Sequence, residues 1–504
     1  MTTVARIRSN LLKTSAAVLV LLVGQAAGQI VSTEGLTHYQ VLQRTDSDRA
    51  SVSFSGTTAA RVQGRLEARV LRQGLIGEVI AWRACGQAGA GTFRARLMNL
   101  PVGGPYEIVL RVVADGGKVV DRGSIRQVLV GDLWILGGQS NMEGCGILKR
   151  GAVKPHPEVH VFDMADRWLV AEEPLHWKHE SVDRVHSGPP GEKLEKRRRE
   201  TRKHRWRGGG LGLPFAREMA ERTGVPVGLL PCAQGGSSMD QWNPALKDKG
   251  GASLYGAMFR RCQACGGRVR GMLWYQGETD ALHEQSDAFP DKFKALVAAV
   301  RRDLGQPDMP FYYVQLGRYL FLEKERHWTA VREAQLRCEA EIPPPVGMVT
   351  AVDQPLVDAI HVRTRGLRVV GERLALLAWR DLTGKKDVFR GPRPATIVAR
   401  GGYPKRVIIT FTGVNGRLRC AGRLAGFSIR DRDGKDLRMV FDQALDPDQS
   451  DRVVLECQVT WRYAPFPEEA YLYYGWGNDP VCNLEDEMGL AAPAFGPLRL
   501  PKAK

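Results

Sequence analysis

Past its first residues the chain has no apolar run long enough to cross a bilayer as a helix, which takes about 20 residues. A protein that crosses the membrane with several helices is therefore not expected. No second Cys or His pair accompanies Cys262-x-x-Cys265, and a lone CxxC does not make a structural zinc site. Nine cysteines are an odd count, and their spacing assigns no disulfide. Acidic residues fall short of basic ones, 55 against 72, which leaves a net charge of +17. No RNA- or DNA-binding motif accompanies that charge. The arginines are scattered along the whole chain, so charge alone does not identify a nucleic-acid binder. No internal repeat is evident.

The chain does have enough apolar sequence to build cores. Its 504 residues are 43% hydrophobic, and that length corresponds to roughly two to four domains. Gly (56) and Pro (28) point to many turns. Arg6, Arg8 and Lys13 precede an apolar run, Ala16 to Val23, and the small residues Gln25-Ala26-Ala27-Gly28 follow. This order reads as a signal peptide over 1–28, and so as a secreted or periplasmic protein.

Three stretches follow. Over 29–127 the pattern alternates: Ala50 to Ser55, Arg65 to Val70 and Tyr106 to Val113 read as strands, and Gly103-Gly104-Pro105 and Asp115-Gly116-Gly117 as turns. A small β-sandwich-like domain is expected there. Over 128–385 buried-strand runs (Leu133 to Leu136, Val227 to Leu230, Gly271 to Tyr275, Pro310 to Leu316) alternate with helical patterns at Pro214 to Arg222 and Phe289 to Leu304. That alternation predicts an α/β fold, a parallel sheet covered on both faces. Inside it, 192–207 is a charge run too polar for a core and reads as a solvated or disordered insertion. Over 386–504 the pattern returns to β.

Four places could carry chemistry. Gly137-Gly138-Gln139-Ser140-Asn141-Met142 puts a serine after a buried strand, where α/β enzymes gather reactive groups and where a following helix start favours negative charge. A plain N-cap serine is the bland alternative. Asp358-Ala-Ile-His361 offers a base for that serine and a carboxylate to orient the base, or a structural contact only. Gln276, in Trp274-Tyr-Gln-Gly-Glu278-Thr-Asp280, could aim an amide at an oxyanion. Gly235, in Ala233-Gln-Gly-Gly-Ser237-Ser238, could offer its N–H. Turns without chemistry explain these last two equally well.

Taken together and in this order, these blocks resemble the SGNH-hydrolase superfamily and, within it, the sialate O-acetylesterase family. The resemblance runs from Gly131-Asp-Leu-Trp through Met142, Val227 to Leu230, Gly235 to Trp242, Leu273 to Asp280 and Asp358 to His361. It includes Tyr39 to Arg44, Tyr474 to Asn483 and Gly489 to Phe495 outside the central region. It implies an SGNH-type sheet flanked by N- and C-terminal β domains. It further implies a serine carbohydrate esterase that removes O-acetyl groups from sugars, either sialic acid or acetylated polysaccharide. Ser140 would be nucleophile, His361 base and Asp358 its orienting acid. The Ser140 and Gly235 N–H groups and the Gln276 side chain would form an oxyanion hole. Glu278 would be a rival acid or a loop brace, and Gln139, Asn141 and Trp242 would contact substrate. No metal, organic cofactor, nucleic acid or stable membrane span is implied. A non-catalytic carbohydrate-binding protein on the same scaffold, or an esterase for non-sugar esters, are the competing readings.

Overall fold

The computed structural model describes residues 30–58, 62–150, 153–321, 325–458 and 466–502. The expected signal peptide lies outside them. Within them, one sheet carries 14 strands. Its centre is the 20-residue strand Val119–Gly138. Leu133, Trp134, Ile135 and Leu136 on that strand are all fully buried, as a continuous apolar run demands when both faces of a sheet are covered.

Six segments lie parallel in this central region. In spatial order they are Val159–Phe162, Val227–Pro231, the Asp132 to Gly138 half of the long strand, Gly271–Tyr275, Phe311–Gln315 and Val346–Thr350. The long strand feeds the connection toward Val159–Phe162 on one side. Its neighbour Gly271–Tyr275 feeds the connection toward Phe311–Gln315 on the other. A crevice opens at the carboxyl ends of two neighbours whose connections diverge, and Ser140 and Gln276 follow those two ends. Helices Gly212–Thr223, Leu254–Ala264, Phe289–Asp303, Glu325–Glu341 and Thr364–Thr383 cover the sheet.

The N-terminal strands do not close off a separate sheet. Arg49–Thr57, Gly64–Arg72 and Gly103–Val113 form where the alternation indicates. They are antiparallel members of the same sheet, joined to it through Val119–Gly138, so one strand runs through residues 127 and 128. Gly103 to Pro105, read as a turn, opens the strand Gly103–Val113 instead, with an irregular register beside Val128 and Val130. The expected solvated insertion also differs. Glu192–His204 is a 13-residue helix, and its Leu194 is buried.

Toward the C-terminus, a four-stranded antiparallel sheet (Arg393–Arg400, Lys405–Thr412, Arg452–Cys457, Val440–Leu445) and a three-stranded one (Phe427–Arg430, Tyr471–Tyr474, Phe495–Arg499) enclose their own apolar cluster. Among the described residues no helix is long and apolar enough to cross a membrane, and no group of three or more His, Cys, Asp or Glu is placed to hold a metal ion.

Candidate active site

Gly138 ends the central strand with φ +132, and a Cβ there would meet the Tyr275 carbonyl at 2.1 Å. Only glycine lets the two strands stay this close while the chain turns outward. Gln139 N–H then donates to Tyr275 O at 2.8 Å. Ser140, the next residue, begins a one-turn helix, Ser140–Glu143, and is partly exposed.

His361 sits on the loop after Val346–Thr350. Its Nδ1 lies 2.9 Å from both Asp358 oxygens, and Asp358 also accepts the His361 N–H at 2.9 Å and the Ile360 N–H at 3.1 Å. Burial pushes the Asp358 carboxyl upward. The hydrogen bonds from His361 and Ile360 outweigh it and hold the group down at about 2. With Nδ1 committed to a carboxylate, Nε2 is the nitrogen left to exchange a proton. The arrangement is a local turn, as the three-residue spacing requires.

Asn141 joins the two halves. Its Oδ1 accepts the Val362 N–H at 3.0 Å, and its Nδ2 donates to Ile360 O at 3.3 Å and to Glu278 Oε1 at 2.7 Å. The residue after the serine is thereby clamped to the residues on either side of the histidine. Glu278 is fully enclosed. Burial raises its carboxyl, the Asn141 bond lowers it, and the net direction is upward. Glu278 therefore braces Asn141, while Asp358 is the carboxylate bonded to the imidazole.

Four expected contacts fall elsewhere. Gln276 is fully buried. Its Nε2 donates to Ser237 O at 3.1 Å and to the Asp280 carboxylate, so both amide hydrogens are spent within the protein. Trp242 is fully buried and donates to Ser237 Oγ at 2.9 Å. Gln139 is buried, its Oε1 taking the Thr279 N–H at 3.2 Å. Asn141, the clamp, is buried as well. None of the four presents its side chain to solvent. The motifs that carry them bind strand ends to one another.

Gly235 is placed as expected but is engaged. A Cβ on it would lie 3.5 Å from Ser140 Cβ, and its N–H donates to Glu143 Oε2 at 2.9 Å. Lys178 pairs with the same carboxylate at 3.3 Å. Glu143 was not legible as a site residue: it lies one helical turn past Ser140 in a stretch without other charge. Arg207, hidden in the basic run, donates to Asp358 Oδ2 at 3.0 Å. Beneath the Gly235 loop, His186 Nδ1 lies 3.2 Å from Gln234 Oε1. Burial, with nearby positive charge, lowers His186 to about 4 and its neighbour His176 to about 3, so both are neutral imidazoles at neutral pH.

Residues 130–380 match the family described as carbohydrate esterase, sialic acid-specific acetylesterase. A probable carbohydrate esterase of Arabidopsis thaliana is 30% identical over 272 residues, 48% of this chain and 88% of that one. The sialate O-acetylesterase of Rattus norvegicus is 26% identical over 441 residues, 72% and 75% of the two chains. The crystal structure of a carbohydrate acetylesterase from Xanthomonas citri shares the fold, with a TM-score of 0.60 at 24% identity, over 92% of this chain and 99% of that one. The chain belongs to the sialic acid-specific acetylesterase family of carbohydrate esterases and is a carboxylic ester hydrolase.

Proposed function

We propose that the chain is an exported serine esterase of SGNH type that hydrolyses O-acetyl esters on sugars through an acetyl-serine intermediate. The observation that carries this is the Asn141 clamp, which fastens the Ser140 turn to the His361 loop while Asp358 holds His361 Nδ1. Ser140 Oγ attacks the acetyl carbonyl carbon, and His361 Nε2 takes its proton. The tetrahedral oxyanion collapses, the sugar alkoxide leaves with the proton from His361, and the acetyl group stays on Ser140. Water then attacks, with His361 again as base, and acetate departs. Asp358 fixes the ring and stabilises the imidazolium.

The Ser140 and Gly235 N–H groups serve the oxyanion, the latter once Glu143 releases it. Gln276 acts indirectly, as a strut between Ser237 and Asp280. The charged and apolar order of residues 6–28 supports export. A fluorophosphonate tests the reading: it should label Ser140 and stop acetate release from acetylated sugars. Labelling of Ser237 or Ser238 in its place refutes the assignment.

A further inference from the structure

Beside Ser140 the surface opens into a cleft of about 690 Å³. One wall continues from the serine itself as Glu143, Gly144 and Cys145, and Cys145 Sγ lies 3.4 Å from Ser140 O. Lys178, Arg205, Trp206 and Arg207 complete the lining together with His179, Thr201 and one further carboxylate, Glu200. Two of these cations are already partnered, Lys178 by Glu143 at 3.3 Å and Arg207 by Asp358 at 3.0 Å. Arg205 is not. Its guanidinium stacks 4.8 Å over Trp177, and its Nε donates to the Arg207 carbonyl at 3.0 Å. Among the described residues it has no ion-pair partner. Burial lowers it from the ordinary arginine value, and the nearby Glu143 carboxylate offsets only part of that, which marks a cation partly desolvated. Arg207 Nε is likewise enclosed with no hydrogen-bond partner among the described residues. A guanidinium in this condition gains most from an anion that brings its own charge and two acceptor oxygens.

The positive charge does not stop at the cleft. Helix Glu192–His204 carries Lys193, Lys196, Arg197, Arg198, Arg199, Arg202 and Lys203 against Glu192, Glu195 and Glu200. Arg198 anchors it to the His179 carbonyl at 2.7 Å, which seats the helix along the same rim. Thirteen residues of helix extend about 20 Å. A single acidic sugar would need one cation, whereas a row of this length suits a chain of charges. Trp206, 53% exposed with the Arg207 guanidinium 4.7 Å from its ring, gives a flat face where a sugar ring can lie.

We propose that the cleft is a subsite for an acidic polysaccharide: the acetylated unit lies at Ser140, a neighbouring unit's carboxylate or sulfate meets Arg205, and the rest of the chain follows helix Glu192–His204. This rests on the esterase reading of Ser140 and adds the class of polymer it serves.

The test compares O-acetylated polygalacturonate, O-acetylated glucomannan and 4-nitrophenyl acetate as substrates of the full chain. The acidic polymer should have the lowest KM, and salt should raise that KM while leaving the other two near their starting values, because exposed charges are screened within a Debye length of about 10 Å at 0.1 M. Arg205→Gln should reduce kcat/KM on polygalacturonate, relative to that on 4-nitrophenyl acetate, by about tenfold, the effect of losing one charged hydrogen bond. Arg205 packs on Trp177, so a second variant changes only solvent-facing groups: Lys193→Gln, Arg197→Gln and Lys203→Gln together should shift the same ratio the same way.

Unacetylated polygalacturonate and dextran sulfate, used as competitors, assign the anion to carboxylate or sulfate by which inhibits more strongly. If neither competes, if duplex DNA alone competes, or if the ratio is unmoved in both variants, the subsite is refuted. No turnover of 4-nitrophenyl acetate by the unaltered protein would instead refute the esterase reading.

Discussion

Asp358 accepts hydrogen bonds from His361 Nδ1, from the His361 and Ile360 N–H groups and from Arg207, whereas among the described residues the Glu278 carboxylate is bonded by the Asn141 side chain through one oxygen and has its second oxygen buried without a partner. The two carboxylates should therefore fail differently when made neutral. Asp358→Asn should lower kcat steeply, toward the loss of about 10⁴ that the equivalent change costs a serine protease, with the fold retained but the melting temperature at neutral pH lowered by the loss of that ionised group's stabilisation. Glu278→Gln should cost far less. Their pH signatures are opposite. Asp358 is held at about 2, below the unfolded carboxyl value of about 3.9. Its stabilisation is thus present above about pH 4 and is lost as pH falls toward 2, a loss that melts of Asp358→Asn should not show. Glu278 is raised by burial. Its ionisation costs stability as pH climbs from the unfolded value of about 4.3, so Glu278→Gln should gain in melting temperature relative to the parent as pH rises above that value. A larger kcat loss in Glu278→Gln than in Asp358→Asn, with both folded, would reverse the roles. Glu143 offers a third test. Its carboxylate holds the Gly235 N–H next to Ser140, where a developing oxyanion would need that donor. Glu143→Ala should raise kcat/KM on a small acetyl ester by about tenfold, the scale of a charged hydrogen bond. A fall would mean that Glu143 supports the serine turn.

At the scale of elements, the point of least tolerance is where the central strand ends. Gly138→Ala would force a side chain against the Tyr275 carbonyl at a φ of +132. The strain belongs to the class that costs about 1–3 kcal/mol at a single residue, and it falls two residues before Ser140. The variant should lose activity well before it loses its fold, seen as a collapse of kcat with a modest drop in melting temperature. Full activity would show that the strand end can move aside. The neighbouring elements show what sequence could and could not reveal. Leu133 to Leu136, Val227 to Leu230 and Gly271 to Tyr275 read directly as buried strands because both of their faces are covered. The placement of Ser140 after a strand end and the Asp358–His361 contact were legible because strand ends and a three-residue turn are local geometry. The burial and internal bonding of Gln139, Asn141, Trp242 and Gln276 were not legible, because nothing local tells a polar group facing a cleft from one bridging two loops. The helix Glu192–His204 was hidden by its charge. Lys, Arg and Glu are good helix formers, the Glu195–Arg198 pair closes at 2.7 Å, and one buried leucine, Leu194, is enough to seat the helix on the protein.

Across the whole molecule, the C-terminal β region is built into the support of the loop that carries Asp358 and His361. Arg332, fully buried, donates to the carbonyls of Gly475, Gly477 and Asn478 at 3.2, 2.6 and 3.3 Å as well as to Leu316 and Gly317. Gln315, at the end of a central strand, makes two hydrogen bonds to the backbone of Ala494, at 2.9 and 2.8 Å. Arg373, on the helix Thr364–Thr383, donates to Gly489 O at 2.7 Å. The path then reaches the site: Tyr319 N–H donates to Asn478 O at 2.9 Å, and Leu320 N–H to Ala359 O at 2.9 Å, between Asp358 and His361. Removing the C-terminal strands would leave the buried Arg332 guanidinium short of three acceptors. Hydrogen bonds to charged groups are worth about 1.5–3 kcal/mol each, and a domain's entire stability is about 5–15 kcal/mol. A chain ending at residue 385 should therefore fail to melt cooperatively and should not hydrolyse 4-nitrophenyl acetate, although it retains Ser140, Asp358 and His361. Supplying residues 386–504 as a second polypeptide during refolding should restore part of both properties, because the lost acceptors are then returned without a covalent link. A truncated chain that melts sharply and turns over ester at the parent rate would show that Arg332 finds other acceptors and that the catalytic loop holds its shape unaided.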